Sequence, residues 1–212
     1  MPVRPVLYSF RRCPYAMRAR MALLVAGATV ELREVLLSDK PAEMISESPK
    51  ATVPVMVLPD YAVIDESADI MRWALGRSDP ADWLRGDDQA LIDRIDGPFK
   101  AHLDRYKYPD RYPDDALAHR SAGLALLVDL NTRLAPTGWL CGEVQTMADA
   151  AVMPFVRQFA AVDQAWFDAE DIPAVQSWLT RQINSDLFRQ TMLQQAPWQA
   201  GDPPVLLGHR RA

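Results

Sequence analysis

Apolar residues change their spacing along this chain, and the change divides it in two. Val6 to Phe10 is a short apolar run that reads as a strand, and Met17, Met21, Leu24 and Val25 then recur at helical spacing before Gly27. Val30 and Leu32 alternate with charged residues, as a half-buried strand does. Pro41 to Glu47 reads as a short helix opened by its proline. "TVPVMVL" (52–58) and "YAVID" (61–65) read as two strands joined by a turn at Pro59 and Asp60, and "ESADIMRWALG" (66–76) as a helix ending at Gly76. Strand, helix, strand, helix, strand, strand, helix is the order of an α/β domain, here over residues 1–77.

Residues 78–86 are polar and turn-rich and read as a linker. Beyond them the spacing is helical. Leu91, Ile92, Ile95, Phe99 and Leu103 share one face of a helix over 87–107, and a second long helix runs from about Asp114 to Leu134. "PTGWLCGEVQ" (136–145) interrupts, and helices then begin near Thr146, Pro173 and Ser185. From Pro197 the chain carries three prolines, two glycines and no periodicity, which predicts an irregular surface tail. Residues 87–212 therefore read as an all-α domain with that tail, and no internal repeat is present.

Composition narrows the function classes. Hydrophobic residues at 49% and charged residues at 24% are those of an ordinary globular protein. A net charge of -5, with one short basic group (Arg11, Arg12, Arg18, Arg20), argues against a nucleic-acid partner. The longest apolar run, "MALLVAGA", is far short of the roughly 18 residues that span a bilayer, and the opening residues lack a secretory pattern. No membrane association is expected. The two cysteines, Cys13 and Cys141, fall in different halves and form no disulfide framework, so a reducing, cytoplasmic setting is expected. His102, His119 and His209 are scattered, and none lies at ligand spacing from Cys13, so no metal site is expected.

Cys13 is the residue that chemistry turns on. A strand ends at Phe10, and Pro14 suits the first position of a helix because it has no amide hydrogen to leave unpaired. Cys13 therefore stands at or beside the helix N-cap, where the sulfur can face free backbone N–H groups. A thiol with a pKa of ~8.5 is only about 3% thiolate at pH 7, and lowering that pKa to ~6 takes roughly 3.4 kcal/mol. The helix dipole supplies about 0.3–1 kcal/mol, or ~2 when partly buried. The remainder must come from charge-assisted hydrogen bonds and from a neighbouring cation, for which Arg11 and Arg12 are the candidates. Position alone leaves an inert buried thiol and a reactive one both open.

The residues taken together resemble the cytosolic glutathione transferases. "CPYA" after a strand, "TVPV" some forty residues on, "DES" opening a helix and an all-helical second half form the pattern. The cysteine motif looks like the omega class and related bacterial cysteine-type enzymes. Lys40, Val53, Glu66 and Ser67 follow Cys13 by 27, 40, 53 and 54 residues, the offsets of omega-like enzymes. The resemblance covers nearly the whole chain. It implies a thioredoxin-like α/β N-terminal domain and an all-α C-terminal domain, with glutathione as co-substrate. It implies a cis peptide bond at Pro54, although most X-Pro bonds are trans, with the Val53 backbone turned toward the cysteinyl part of glutathione. Ser67, otherwise an ordinary N-cap, and Glu66 would hold the γ-glutamyl end. Lys40 would meet the glycyl carboxylate, and a homodimer is implied as well. Tyr106, Tyr108 and Trp166 can line an acceptor site, though aromatic residues on helices are usually core.

Thr146, three residues before Asp149, is a capping-box start with Asp in place of Glu, like the family's capping motif, and carries no chemistry. Ala16 stands where a dithiol enzyme would carry its second cysteine, so Cys13 is expected to work as a monothiol. The expected activity is a glutathione-dependent thiol transferase or reductase acting on a small or protein-bound disulfide or an oxidised acceptor. The alternatives are a transferase that conjugates glutathione to electrophiles, and a non-catalytic regulator built on the same fold.

Overall fold

The computed structural model describes residues 4–113 and 115–208, so Asp114 and His209 lie outside the described residues. The chain forms two compact units: one made of the residues up to Leu84 and those from Asp186 onward, the other of Arg85–Ser185.

The first unit is built on a five-stranded mixed sheet in the order β4-β3-β1-β2-β5. Its strands are β1 (Val6–Ser9), β2 (Val30–Glu34), β3 (Val55–Val57), β4 (Val63–Ile64) and β5 (Val205–Leu207). Only β1 and β2 run parallel, and the connection between them is helix α1 (Pro14–Val25), as parallel neighbours require. Every residue of β1 is buried, so the strand lies covered on both faces. Tyr8, Val35, Val55 and Val57 form a core with Met44 of helix α2 (Ala42–Glu47). Helix α3 (Ser67–Arg77) packs along α1, and Met17, Met21, Ile70 and Met71 are buried there.

The tail departs from the expectation of an irregular surface segment. It returns to the first unit, where β5 adds to the edge of β2 by pairing Val30 with Leu207 and Leu32 with Val205. Backbone partners, which leave no mark in side-chain periodicity, decide this segment. The Trp198 N–H donates to the Glu34 carbonyl (2.8 Å), and its ring meets Tyr8 edge-on and the Arg33 guanidinium at 4.1 Å. Gly208, with φ +85°, closes the strand where a Cβ would come within 2.5 Å of the Ala28 carbonyl. Trp198→Ala removes the half-buried ring and its cation–π partner, and should lower unfolding stability by about 2 kcal/mol in a urea titration. No loss would mean that the backbone pairing alone holds the tail.

The stretch expected as a linker, within which the division between the two units falls, is ordered by a turn. Asp79 accepts from the Trp83 and Leu84 amides, both at 2.8 Å, and Trp83 is buried. The helix expected over 87–107 is also interrupted. α4 (Gln89–Arg94), capped by Asp88, passes through a wide turn at Ile95–Phe99 into α5 (Lys100–Lys107). Pro98 sits inside that turn and has no N–H to give to the carbonyl four residues back.

The second unit is completed by α6 (Ala116–Leu134), α7 (Met147–Ala160), α8 (Gln164–Ala169) and α9 (Pro173–Ile183). α6 is capped by Asp115, and α10 (Asp186–Thr191) belongs to the first unit. Twelve of the fourteen residues of α7 are buried, which makes it the core helix of its unit. Thr146 and Asp149 form a complete capping box at its start. Among the described residues no helix is long and apolar enough to cross a membrane. The architecture is the expected one: a thioredoxin-like α/β unit joined to an all-helical one.

Candidate functional site

Cys13 occupies the N-cap of α1 with extended backbone angles, and its carbonyl accepts the first helical bond, from Met17 N (2.9 Å). The Cys13 amide closes the preceding turn on the Phe10 carbonyl at 3.0 Å. The thiol was expected to face the free amides of the helix end, but it makes no capping bond to them. It donates instead to the Val53 carbonyl, 3.5 Å away. That carbonyl stands immediately before Pro54, and the Val53–Pro54 peptide bond is cis. The thiol is partly exposed and not part of a disulfide.

Arg18, one turn beyond the thiol on α1, is 2% exposed and donates through Nε to the Ser67 hydroxyl at 2.9 Å. Its guanidinium also stands 5.1 Å from the Tyr15 ring. Ser67 is the first residue of α3 rather than its cap, because Glu66 takes the N-cap position and makes no side-chain capping bond. A polar chain thus runs from α1 to the start of α3. Glu66 is exposed and pairs with Lys50 at 2.7 Å, and Lys50 also reaches Asp65 at 3.0 Å. Asp65 accepts a second bond from the Ser48 hydroxyl (2.8 Å), and these donors lower its carboxyl pKa. Lys50 was missed in the sequence, where a lone lysine before an apolar run reads as surface. Lys40, the expected cation, lies before α2 and has no ion-pair partner among the described residues.

Two further arginines of the basic group take positions around the thiol turn. Arg12 stacks on Phe10 at 5.6 Å. Arg20, 1% exposed, donates instead to the Arg11 carbonyl at 2.6 Å. The short basic group noticed in the sequence is therefore half interior. Two arginines among the apolar residues of one helix were the available signal, since an arginine enters a core only with partners.

The second unit holds the three aromatic candidates. Tyr106 is buried, with its ring 5.3 Å from Phe159 and 6.3 Å from Trp166, so it is largely a core residue. Trp166 is partly exposed beneath the Arg120 guanidinium (4.4 Å), and Tyr108 lies between Lys107 and Arg111. The Nδ1 atoms of His102 and His119 are 2.9 Å apart. Burial, with the nearby His119 and Arg105 charges, lowers the His102 pKa. Among the described residues, no three histidine, cysteine or acidic side chains converge to hold a metal ion.

Comparison of the sequence with curated proteins gives no match. Solved structures share the architecture. A glutathione transferase family member from Pseudomonas fluorescens, with two glutathione molecules bound, superposes with a TM-score of 0.77 at 18% identity, covering 91% of this chain and 93% of its own. A glutathione transferase from Pseudomonas putida, with one glutathione disulfide bound per subunit, gives a TM-score of 0.74 at 21% identity, covering 90% and 91%. One from Phanerochaete chrysosporium, in complex with oxidized glutathione, gives 0.75 at 14%, covering 89% and 94%. These likenesses establish the fold. The sequence itself matches the glutathione S-transferase N-terminal domain over residues 7–81 and the C-terminal domain over residues 89–181. With both domains matched in order over most of its length, this chain belongs to the glutathione S-transferase family.

Proposed function

We propose that this protein is a glutathione-dependent thiol transferase whose nucleophile is Cys13. One observation carries the reading. The cysteine sulfur stands at the N-terminus of α1, bonded to the carbonyl before a cis-proline, where a tripeptide thiol could pair with the Val53 backbone. Ser67 and Glu66 at the start of α3 receive the γ-glutamyl end, and Lys40 receives the glycyl carboxylate. Lys50, poised between Asp65 and Glu66, joins that polar set. Glutathione or its disulfide bound in structural relatives supports the ligand class.

The Cys13 thiolate attacks the glutathionyl sulfur of a mixed disulfide, the S–S bond breaks, and the acceptor leaves as a thiolate that takes up a proton. A second glutathione, as its thiolate, attacks the same glutathionyl sulfur. It releases Cys13 as thiolate and carries away glutathione disulfide, so that one reduced glutathione is consumed for each acceptor thiol released from its glutathionyl mixed disulfide. The acceptor is a small or protein-bound disulfide, and the working form is a homodimer in the cytoplasm. Intact-mass analysis after incubation with glutathione disulfide tests the intermediate. One glutathionyl group should be found, on the Cys13 peptide, removed by excess glutathione. A chain that stays unmodified while binding glutathione would favour the conjugating alternative.

A further inference from the structure

Beneath the Cys13 turn lies a buried ion pair. Arg20, two turns along α1 from the thiol, donates through Nη2 to the Arg11 carbonyl, and its Nη1 stands 3.8 Å from Glu34 Oε2. Glu34, the last residue of β2 and 8% exposed, accepts the Arg11 amide through Oε1 at 2.7 Å. Both backbone groups of Arg11 are therefore gripped, the carbonyl by Arg20 and the amide by Glu34. Arg11 is two residues from Cys13 in a turn closed by the Cys13 amide itself. Glu34 is fixed from the tail as well, because its carbonyl accepts Trp198 N.

Stability alone does not call for such a pair, because apolar side chains of similar volume commonly hold a helix as well as a buried ion pair does. Here the pair is also incompletely matched. Among the described residues Arg20 Nε has no hydrogen-bond partner, nor has the buried Ser9 hydroxyl, on the residue that pairs with Glu34 across the sheet. Burial lowers the Arg20 pKa to about 10, while Glu34 and the nearby Cys13 sulfur act the other way. Arg20 stays a cation at neutral pH, and Glu34 offsets only part of its field. The other charges around the thiol are Arg11 and Arg12 on its own turn. Arg18 is committed to Ser67, and on α10 Asp186 and Arg189 pair with each other at the surface.

We propose that Arg20 and Glu34 are positioning residues for Cys13: together they hold its turn, and they bias the thiol in opposite directions, Arg20 toward thiolate and Glu34 away from it. This rests on Cys13 being the nucleophile.

The test measures alkylation of the full chain by iodoacetamide across pH without glutathione. It is read by mass spectrometry on the Cys13 peptide, so that Cys141 does not contribute. Arg20→Met should raise the midpoint by about one unit and slow the reaction at pH 7 about tenfold. Glu34→Gln keeps an acceptor for the Arg11 amide and should lower the midpoint by about half a unit. Opposite shifts separate charge tuning from a clamp, whose loosening would move both variants the same way. Shifts of one sign, or no shift in either, overturn the inference. Should Arg20→Met fail to fold by circular dichroism, Glu34→Gln decides alone: a lowered midpoint supports the inference, and an unchanged or raised one overturns it. The assay contains no glutathione, so its failure is distinct from that of the proposed function, which would appear as absent glutathione-dependent turnover with a normally reactive Cys13.

Discussion

Replacing Cys13 by alanine should lower glutathione-dependent reduction of a small mixed disulfide by about a thousandfold or more, close to the solution rate. The size follows from the proposed monothiol route. The mixed disulfide must form on one sulfur, and no other thiol can substitute for it. Ala16 occupies the place a resolving cysteine would take, and Cys141 lies in the other unit. Burial pushes the Cys141 thiol above its ordinary pKa, even with the Arg133 guanidinium 3.0 Å from its sulfur. Cys141→Ser should accordingly leave the reduction rate unchanged. Cys13→Ser separates the candidate activities further, since a hydroxyl cannot enter a disulfide yet can still donate a hydrogen bond to a glutathione thiol. Loss of disulfide reduction in both Cys13 variants, measured by coupled turnover of glutathione disulfide, is the expected result. Wild-type rates in Cys13→Ala would remove the thiol from the reaction and leave conjugation of electrophiles as the activity.

Much of this site was legible in the sequence because its parts are marked locally. A cysteine before proline at the end of an apolar run places a thiol at a helix start, while the offsets to "TVPV" and "DES" carry the proposed glutathione contacts through the family resemblance. What escaped was decided by partners far along the chain. Arg20 looks like a surface cation until β2 brings Glu34 beneath the same turn, 14 residues later. Ser67 looks like a cap until Arg18 reaches it from α1. Trp198 looks like part of an irregular tail because its backbone partner, Glu34, is 164 residues away, and strand pairing at a sheet edge needs little side-chain pattern. Pro98 was visible, yet the apolar stripe around it ran on at helical spacing, and that stripe persists through the wide turn. The fold was readable where side-chain period dictated it. It was hidden where single backbone groups and buried charges did.

The second large effect is expected far from the thiol, at Asp149. This carboxylate is fully buried and accepts four hydrogen bonds: from Trp178 Nε1 (2.8 Å), Thr146 N (2.9 Å), Leu140 N (3.0 Å) and the Thr146 hydroxyl (3.0 Å). One side chain thus fastens the 135–146 loop and α9 to the start of the core helix. Asp149→Ala strands three buried N–H donors, each costing about 1–3 kcal/mol when left unpaired, and partial relaxation brings the expected total to about 3–5 kcal/mol. Thr146→Ala should cost only about 1 kcal/mol, because its amide keeps the Asp149 oxygen and only the hydroxyl is lost. Asp149→Asn should recover little, since its amide retains one acceptor oxygen and turns a donor toward the other N–H groups. Urea titrations followed by tryptophan fluorescence report on this directly, because Trp139, Trp166 and Trp178 all lie in the second unit. An Asp149→Ala variant no less stable than Thr146→Ala would show that the carboxylate acts only as a helix cap. A several-fold larger loss would identify it as the buried acceptor on which the loop, α7 and α9 jointly depend.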